Sequence, residues 1–99
     1  MADQTVRVRV TQEDIDAGVR EDCWRCPVVL AVRRAVPRAV NVAVDYGHVY
    51  VLGAFTRLPA AAALAIVEFD LGAGMSPFEF DLPLPTEPEV AASVEGQGQ

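Results

Sequence analysis

The sequence predicts an α+β domain whose elements follow the order β-α-α-β-β-α-β. Three observations predict it. Apolar and polar residues alternate in four short runs, apolar residues recur at helical spacing in longer runs, and prolines and glycines mark the ends of these runs. The chain has 99 residues, which is the usual length of one domain. We therefore expect a four-stranded mixed sheet with its helices on one face.

The first strand and the first helix are predicted near the N-terminus. Val6, Val8 and Val10 alternate with arginines, which is typical of a strand with one buried face. Thr11 follows, and Asp14 lies three residues later, so a short helix would begin with a threonine cap and an acidic first turn. A half-buried strand is therefore expected to run directly into a short helix.

The second helix and a β-hairpin are predicted in the middle of the chain. Pro27 fits a first helical turn, and apolar residues then recur at helical spacing until Pro37 stops the helix. Alternating runs at 40–44 and 49–52 flank the sequence Asp-Tyr-Gly-His at 45–48. This arrangement predicts two strands joined by a tight turn, in which the glycine adopts a positive φ.

The third helix and the last strand complete the predicted domain. The helix runs from about Pro59 to Asp70 and ends at Gly72. Aromatic and apolar residues then alternate with acids over 78–82, which predicts a strand. Residues 83–99 are rich in proline, glutamate and glycine, so we expect a domain over 1–82 and a disordered acidic tail over 83–99.

The charges on the first and last strands predict how the sheet is ordered. Arg7 and Arg9 lie on the polar face of the first strand, and Glu79 and Asp81 lie on that of the last. Opposite charges stabilise neighbouring strands, so these two strands are expected to lie side by side. Right-handed crossovers then give a ferredoxin-like strand order, 4-1-3-2.

The composition limits the classes of partner and the location. No apolar run approaches the roughly 20 residues that a membrane span needs, and the N-terminus lacks the layout of a signal peptide, so we expect a cytoplasmic protein without membrane contact. The net charge is −6, and residues 39–99 hold one arginine against eight acids. A nucleic-acid partner is therefore not expected, because affinity for phosphate backbones depends on clustered positive charge.

Cys23 and Cys26 form the most conspicuous chemical spacing, and three interpretations of it remain open. In the first, Cys26 is a small buried residue at a helix start and Cys23 is a partly exposed thiol. In the second, Cys26 is an activated thiol at a helix start and Cys23 is its resolving partner. In the third, the pair supplies half of a zinc site that closes across a dimer. His48 is the single histidine, so one chain offers too few ligands for zinc. We expect no metal and no cofactor.

The polar sheet face offers a second candidate site. Arg7, Arg9, His48 and Tyr50 are predicted to share it, and aromatic and basic residues on an open sheet face can bind nucleotides or small ligands. The alternative interpretation is a solvated face with cross-strand ion pairs.

The third helix is apolar on nearly all sides, which predicts an interface. The stripe expected to face the sheet comprises Ala62, Ala65, Ile66 and Phe69. Leu64, Val67 and Leu71 lie off this stripe, and a helix that is apolar all round is usually buried. These three residues are therefore predicted to bind a second copy or another protein. The alternative is that the first short helix covers them.

A pattern of short motifs runs through these elements. It consists of Thr11, Ile15, Gly18, Cys26-Pro27 with Leu30 and Ala31, Leu58-Pro59, Phe69-Asp70-x-Gly72 and Pro77-Phe78-x-Phe80. The pattern, over about residues 5–82, resembles that of a family of small uncharacterised proteins from actinobacteria and their phages. The resemblance implies a bacterial cell, or a host cell for a phage-encoded protein, and it brings no catalytic residue. We therefore expect a small non-catalytic protein-interaction or regulatory module.

Overall fold

The computed structural model describes residues 4–84 and confirms the α+β class. Its elements are β1 (Gln4–Val10), α1 (Gln12–Ala17), α2 (Pro27–Ala35), β2 (Ala43–Val44), β3 (His48–Val51), β4 (Ala54–Arg57), α3 (Ala60–Asp70) and β5 (Phe78–Leu84). Pro83 and Leu84 belong to β5 and not to the tail, since a strand tolerates proline where no donor is needed. The rest of the predicted disordered tail lies outside the described residues.

The strands form two antiparallel sheets, so the prediction of one four-stranded mixed sheet is wrong. β1 pairs with β5, and the second sheet has the order β2-β3-β4. The predicted neighbours are confirmed, with Arg7 opposite Asp81 and Arg9 opposite Glu79. The ferredoxin-like order 4-1-3-2, which numbers the four predicted strands, is not found. It places the first strand, β1, next to β3, but that edge of β3 pairs instead with β4, a strand that was not predicted.

The hairpin between β3 and β4 turns through two residues. Leu52 and Gly53 have φ values of 54° and 85°. Two successive positive φ angles are the mark of the type I′ turn, whose twist suits antiparallel strands. Leucine is an unusual first residue for this turn, so the sequence gives little sign of it.

The hairpin between β2 and β3 was predicted, but its turn is stabilised differently. The expected positive φ at Gly47 is not found. Instead, the Asp45 carboxylate accepts hydrogen bonds from the backbone N–H groups of Gly47 (2.8 Å) and His48 (2.6 Å). These hydrogen bonds lower the pKa of Asp45, and the one from Gly47 has the largest effect. A side chain therefore fixes this turn.

The helices pack on a core built mainly from valine. Its fully buried valines are Val8, Val10, Val28, Val29, Val32, Val36, Val49 and Val51. α2 packs on β1, and α1 packs on α2. α1 begins with a complete capping box, in which the Thr11 side chain accepts from the N–H of Asp14 and the Asp14 carboxylate accepts from the N–H of Thr11. No helix within residues 4–84 has both the length and the apolar character needed to cross a membrane.

Candidate functional site

The four predicted binding residues do not share one sheet face. Arg7 and Arg9 belong to β1 in the two-stranded sheet, whereas His48 and Tyr50 belong to β3 in the three-stranded sheet. The prediction assumed that β1 and β3 are neighbours in one sheet, and they are not. The two pairs therefore belong to separate surfaces.

Arg7 and Arg9 are engaged in ion pairs with β5. Arg7 donates to Glu79 at 3.0 Å and to Asp81 at 2.9 Å, and Arg9 donates to Glu79 at 2.9 Å. The hydrogen bond from Arg7 lowers the pKa of Glu79, and the bonds to Asp81 and Glu79 raise the pKa of Arg7. This face matches the alternative interpretation, a solvated face with cross-strand ion pairs, and its guanidinium groups already have anionic partners.

His48 and Tyr50 belong to an aromatic face that includes a residue the sequence analysis missed. His48 lies opposite Arg57 and Tyr50 lies opposite Phe55 in the β3–β4 ladder. The ring of Phe55 meets both neighbouring rings edge to face, with centroid distances of 6.5 Å to His48 and 5.2 Å to Tyr50. We call His48, Tyr50, Phe55 and Arg57 the aromatic face.

The alternation of side chains along β3 explains why the aromatic face points outward. Val49 and Val51 are fully buried, so His48 and Tyr50 must project from the opposite side of the strand. Phe55 is 67% exposed, which is unusual for so large an apolar side chain. The sequence signal for this strand was Phe55 and Thr56, two residue types that are enriched in strands, shortly after the glycine at 53.

A shallow groove adjoins the aromatic face at Tyr50. Its volume is about 270 Å³, and it is lined by Arg38, Val40, Asn41, Tyr50, Leu52 and Gly53. Val40 is 84% exposed. The groove therefore combines apolar surface with an amide and a guanidinium group.

The predicted interface residues of α3 lie on or beside its solvent side. Leu64 and Leu71 are 57% and 77% exposed, and Val67 is half-buried. The opposite side buries Ala62, Ile66 and Phe69, as predicted, while Ala65 is only half-buried. The alternative, in which α1 covers this side, does not hold for Leu64, because that side chain is exposed. We call Ala60, Leu64, Val67 and Leu71 the outer face of α3.

The two cysteines line a cleft of about 390 Å³ between α3, the β2–β3 turn and the loop before α2. Cys23 is exposed, Cys26 is buried, and both are free thiols. Burial raises the pKa of the Cys26 thiol to about 11. An activated redox thiol needs a lowered pKa, so the environment of Cys26 does not favour that interpretation. Within residues 4–84, no group of three or more histidine, cysteine or acidic side chains could hold a metal ion.

The acids around this cleft hold the surrounding segments together. Asp70 of α3 accepts a hydrogen bond of 2.8 Å from the N–H of Glu21, and its hydrogen bond with Tyr46 raises the pKa of that phenol. Asp22 accepts from the N–H of Trp24 at 2.9 Å. These carboxylates thus have local structural partners.

Three exposed features remain as candidates: the aromatic face, its groove and the outer face of α3. Each offers exposed apolar area with few charges, which is a feature typical of interaction sites. Comparison with protein-family models, with curated proteins and with solved structures finds no match for this chain.

Proposed function

We propose that this protein is a small, non-catalytic interaction module that self-associates through the outer face of α3. The observation that carries the proposal is the exposure of Leu64, on a helix that is already anchored by its other side, and of Leu71 at the C-cap of that helix. Large apolar side chains that line up on a surface are typical of interaction sites. The sequence resemblance suggests a bacterial or phage setting for such a module.

The spacing of the outer face suits packing against another helix. Ala60, Leu64, Val67 and Leu71 follow at intervals of four, three and four residues, which is the pattern of a helix–helix seam. Alanines at the start of α3 let a second helix approach closely. Burying one leucine contributes about 1.5–3 kcal/mol, and a two-fold dimer buries each position twice.

The charges of α3 favour a second copy in antiparallel orientation. Its first turn contains no acid and its last turn contains no base, while Glu68 lies exposed one helical turn after Leu64. The N-terminus of a helix attracts negative charge and the C-terminus attracts positive charge. In an antiparallel pair, Glu68 of each copy would approach the N-terminal half of the other α3. In the antiparallel orientation, the charges of two α3 helices are therefore complementary.

Analytical ultracentrifugation of the wild type, Leu64→Glu and Val40→Glu tests the proposal. Val40→Glu is the matched control, because it also introduces an acid at an exposed apolar residue, but away from α3. We expect the wild type and the control to form dimers and Leu64→Glu to form folded monomers with an unchanged circular dichroism spectrum. A wild type that stays monomeric at all concentrations up to the millimolar range would overturn the proposal.

A charge reversal tests the orientation of the pair. In the antiparallel arrangement, Glu68→Arg places a positive charge near the N-terminal half of the other α3, where the helix dipole is positive, so it should weaken the dimer, whereas Glu13→Arg on α1 should not. Equal dimer dissociation constants for both variants would show that the orientation is wrong, even if the dimer itself is confirmed.

A further inference from the structure

We propose that the aromatic face binds a mononucleotide, with the base against Phe55 and the phosphate at Arg57. This inference is independent of the α3 interface, because it concerns the outer surface of the three-stranded sheet. It rests on three observations: the exposed ring cluster, the charge of Arg57 and the adjoining groove.

The ring cluster provides a surface on which a flat base can stack. His48, Tyr50 and Phe55 lie side by side, and the contacts of Phe55 with both neighbours hold its ring in place. A ring that is fixed and still two-thirds exposed loses little freedom when a ligand covers it. Stacking of bases on exposed aromatic side chains of a sheet is a recurrent mode of nucleotide recognition.

Arg57 supplies a positive charge on this face. Arg7, Arg9 and Arg34 all form ion pairs with acids, whereas Arg57 has no ion pair with any residue in the described range 4–84. Arg57 lies directly opposite His48 in the ladder, at the edge of the ring cluster. A guanidinium group binds phosphate through paired hydrogen bonds, so a phosphate carried by the stacked base fits this position.

The size of the site and the net charge favour a single nucleotide over a nucleic acid. The groove beside Tyr50 has about 270 Å³, just below the lower end of the range for small-molecule pockets. Asn41 lines it and offers an amide group to the edge of a base. A chain with a net charge of −6 repels a long polyanion, but one phosphate beside Arg57 adds few charges.

Titration of the full-length protein with AMP, adenosine and inorganic phosphate, followed by NMR or calorimetry, tests the proposal. We expect AMP to bind more tightly than adenosine, and both to bind more tightly than phosphate alone. Phe55→Leu keeps the apolar bulk but removes the ring, so it should weaken AMP binding about tenfold, whereas Phe55→Trp should preserve it. Arg57→Gln should weaken AMP but leave adenosine unchanged, and Arg33→Gln, an exposed arginine on α2, should change neither.

Three results would overturn the inference. They are the absence of AMP binding to the wild type at millimolar concentration, equal affinity of the wild type and Phe55→Leu, and phosphate binding as tight as AMP binding. If an acidic peptide binds at Phe55 while AMP does not, the face is a protein-docking surface and the nucleotide proposal is wrong.

Discussion

The guanidinium group of Arg34 donates to both carboxylate oxygens of Asp14, at 2.8 and 2.7 Å, and to the backbone carbonyl of Arg9 at 2.7 Å. Asp14 is the buried charged residue of the described core, and it also caps the start of α1. One side chain of α2 thereby joins α1 to the end of β1. This contact fixes the short helix, which packs on α2 and is too short to be stable alone.

Removing this guanidinium group should destabilise the fold. Arg34→Ala leaves the Asp14 carboxylate buried without its cationic partner, which costs about 1–3 kcal/mol of unfolding free energy. The upper end of that range is not expected, because Arg34 is half-exposed and Asp14 keeps its bonds within the capping box. Urea unfolding measures the change. The neighbouring Arg33→Ala should stay within about 0.5 kcal/mol of the wild type, and an equal loss for both variants would contradict this assignment.

Asp14 should also make the stability depend on acidic pH. Burial by itself raises the pKa of Asp14, but the hydrogen bonds from Arg34 and Thr11 outweigh it, so the pKa lies below its ordinary value of 3.8. A lowered folded-state pKa contributes stability above the ordinary value, and this contribution is lost as the pH falls through the lowered pKa. Between pH 6 and pH 2, Asp14→Asn should therefore lose less stability than the wild type. Parallel curves for the two proteins would exclude a role for this group.

The parts of the fold that depend on local signals were predictable from sequence. Thr11 with Asp14 marked the start of α1, and Pro27 marked that of α2. Val19 lies four residues after Ile15, a spacing that predicts an inward-facing residue of the first helix, yet it lies beyond the end of α1 and is exposed. The cross-strand charges identified β1 and β5 as neighbours, because opposite charges on two polar faces are specific to the pairing.

The arrangement of the strands into two sheets could not be predicted in the same way. It depends on β4, a strand of four residues that follows a turn with leucine at a positive φ. Because β4 was not predicted, the edge of β3 that it occupies was assigned to β1, and Phe55 was not assigned to any sheet face. The predicted binding set therefore combined two arginines of one sheet with two rings of the other, and omitted the most exposed ring of the aromatic face.

Gly18 should not tolerate even one added methyl group. An alanine Cβ at this position would lie 2.5 Å from Cδ and 2.9 Å from the backbone nitrogen of Pro27, which is the first residue of α2. Backbone and a rigid ring cannot move aside cheaply, so Gly18→Ala should cost about 1–3 kcal/mol of unfolding free energy. At Gly47 an added Cβ meets nothing within 4 Å, and Gly47→Ala is the control that should retain wild-type stability. Equal melting temperatures of the two variants would refute the close approach.

The two thiols should differ strongly in reactivity. Cys23 is exposed, whereas Cys26 is buried and its pKa is raised to about 11, so at pH 8 only on the order of one Cys26 in a thousand carries the reactive thiolate. Mass spectrometry after iodoacetamide treatment should show rapid modification of Cys23 and very slow modification of Cys26. At a urea concentration that unfolds the chain, the two rates should converge. Cys23→Ser and Cys26→Ser should both fold, and metal analysis of the purified protein should find no stoichiometric zinc. Fast modification of Cys26 in the folded protein would restore the redox interpretation, and one zinc per two chains would establish a metal-linked dimer.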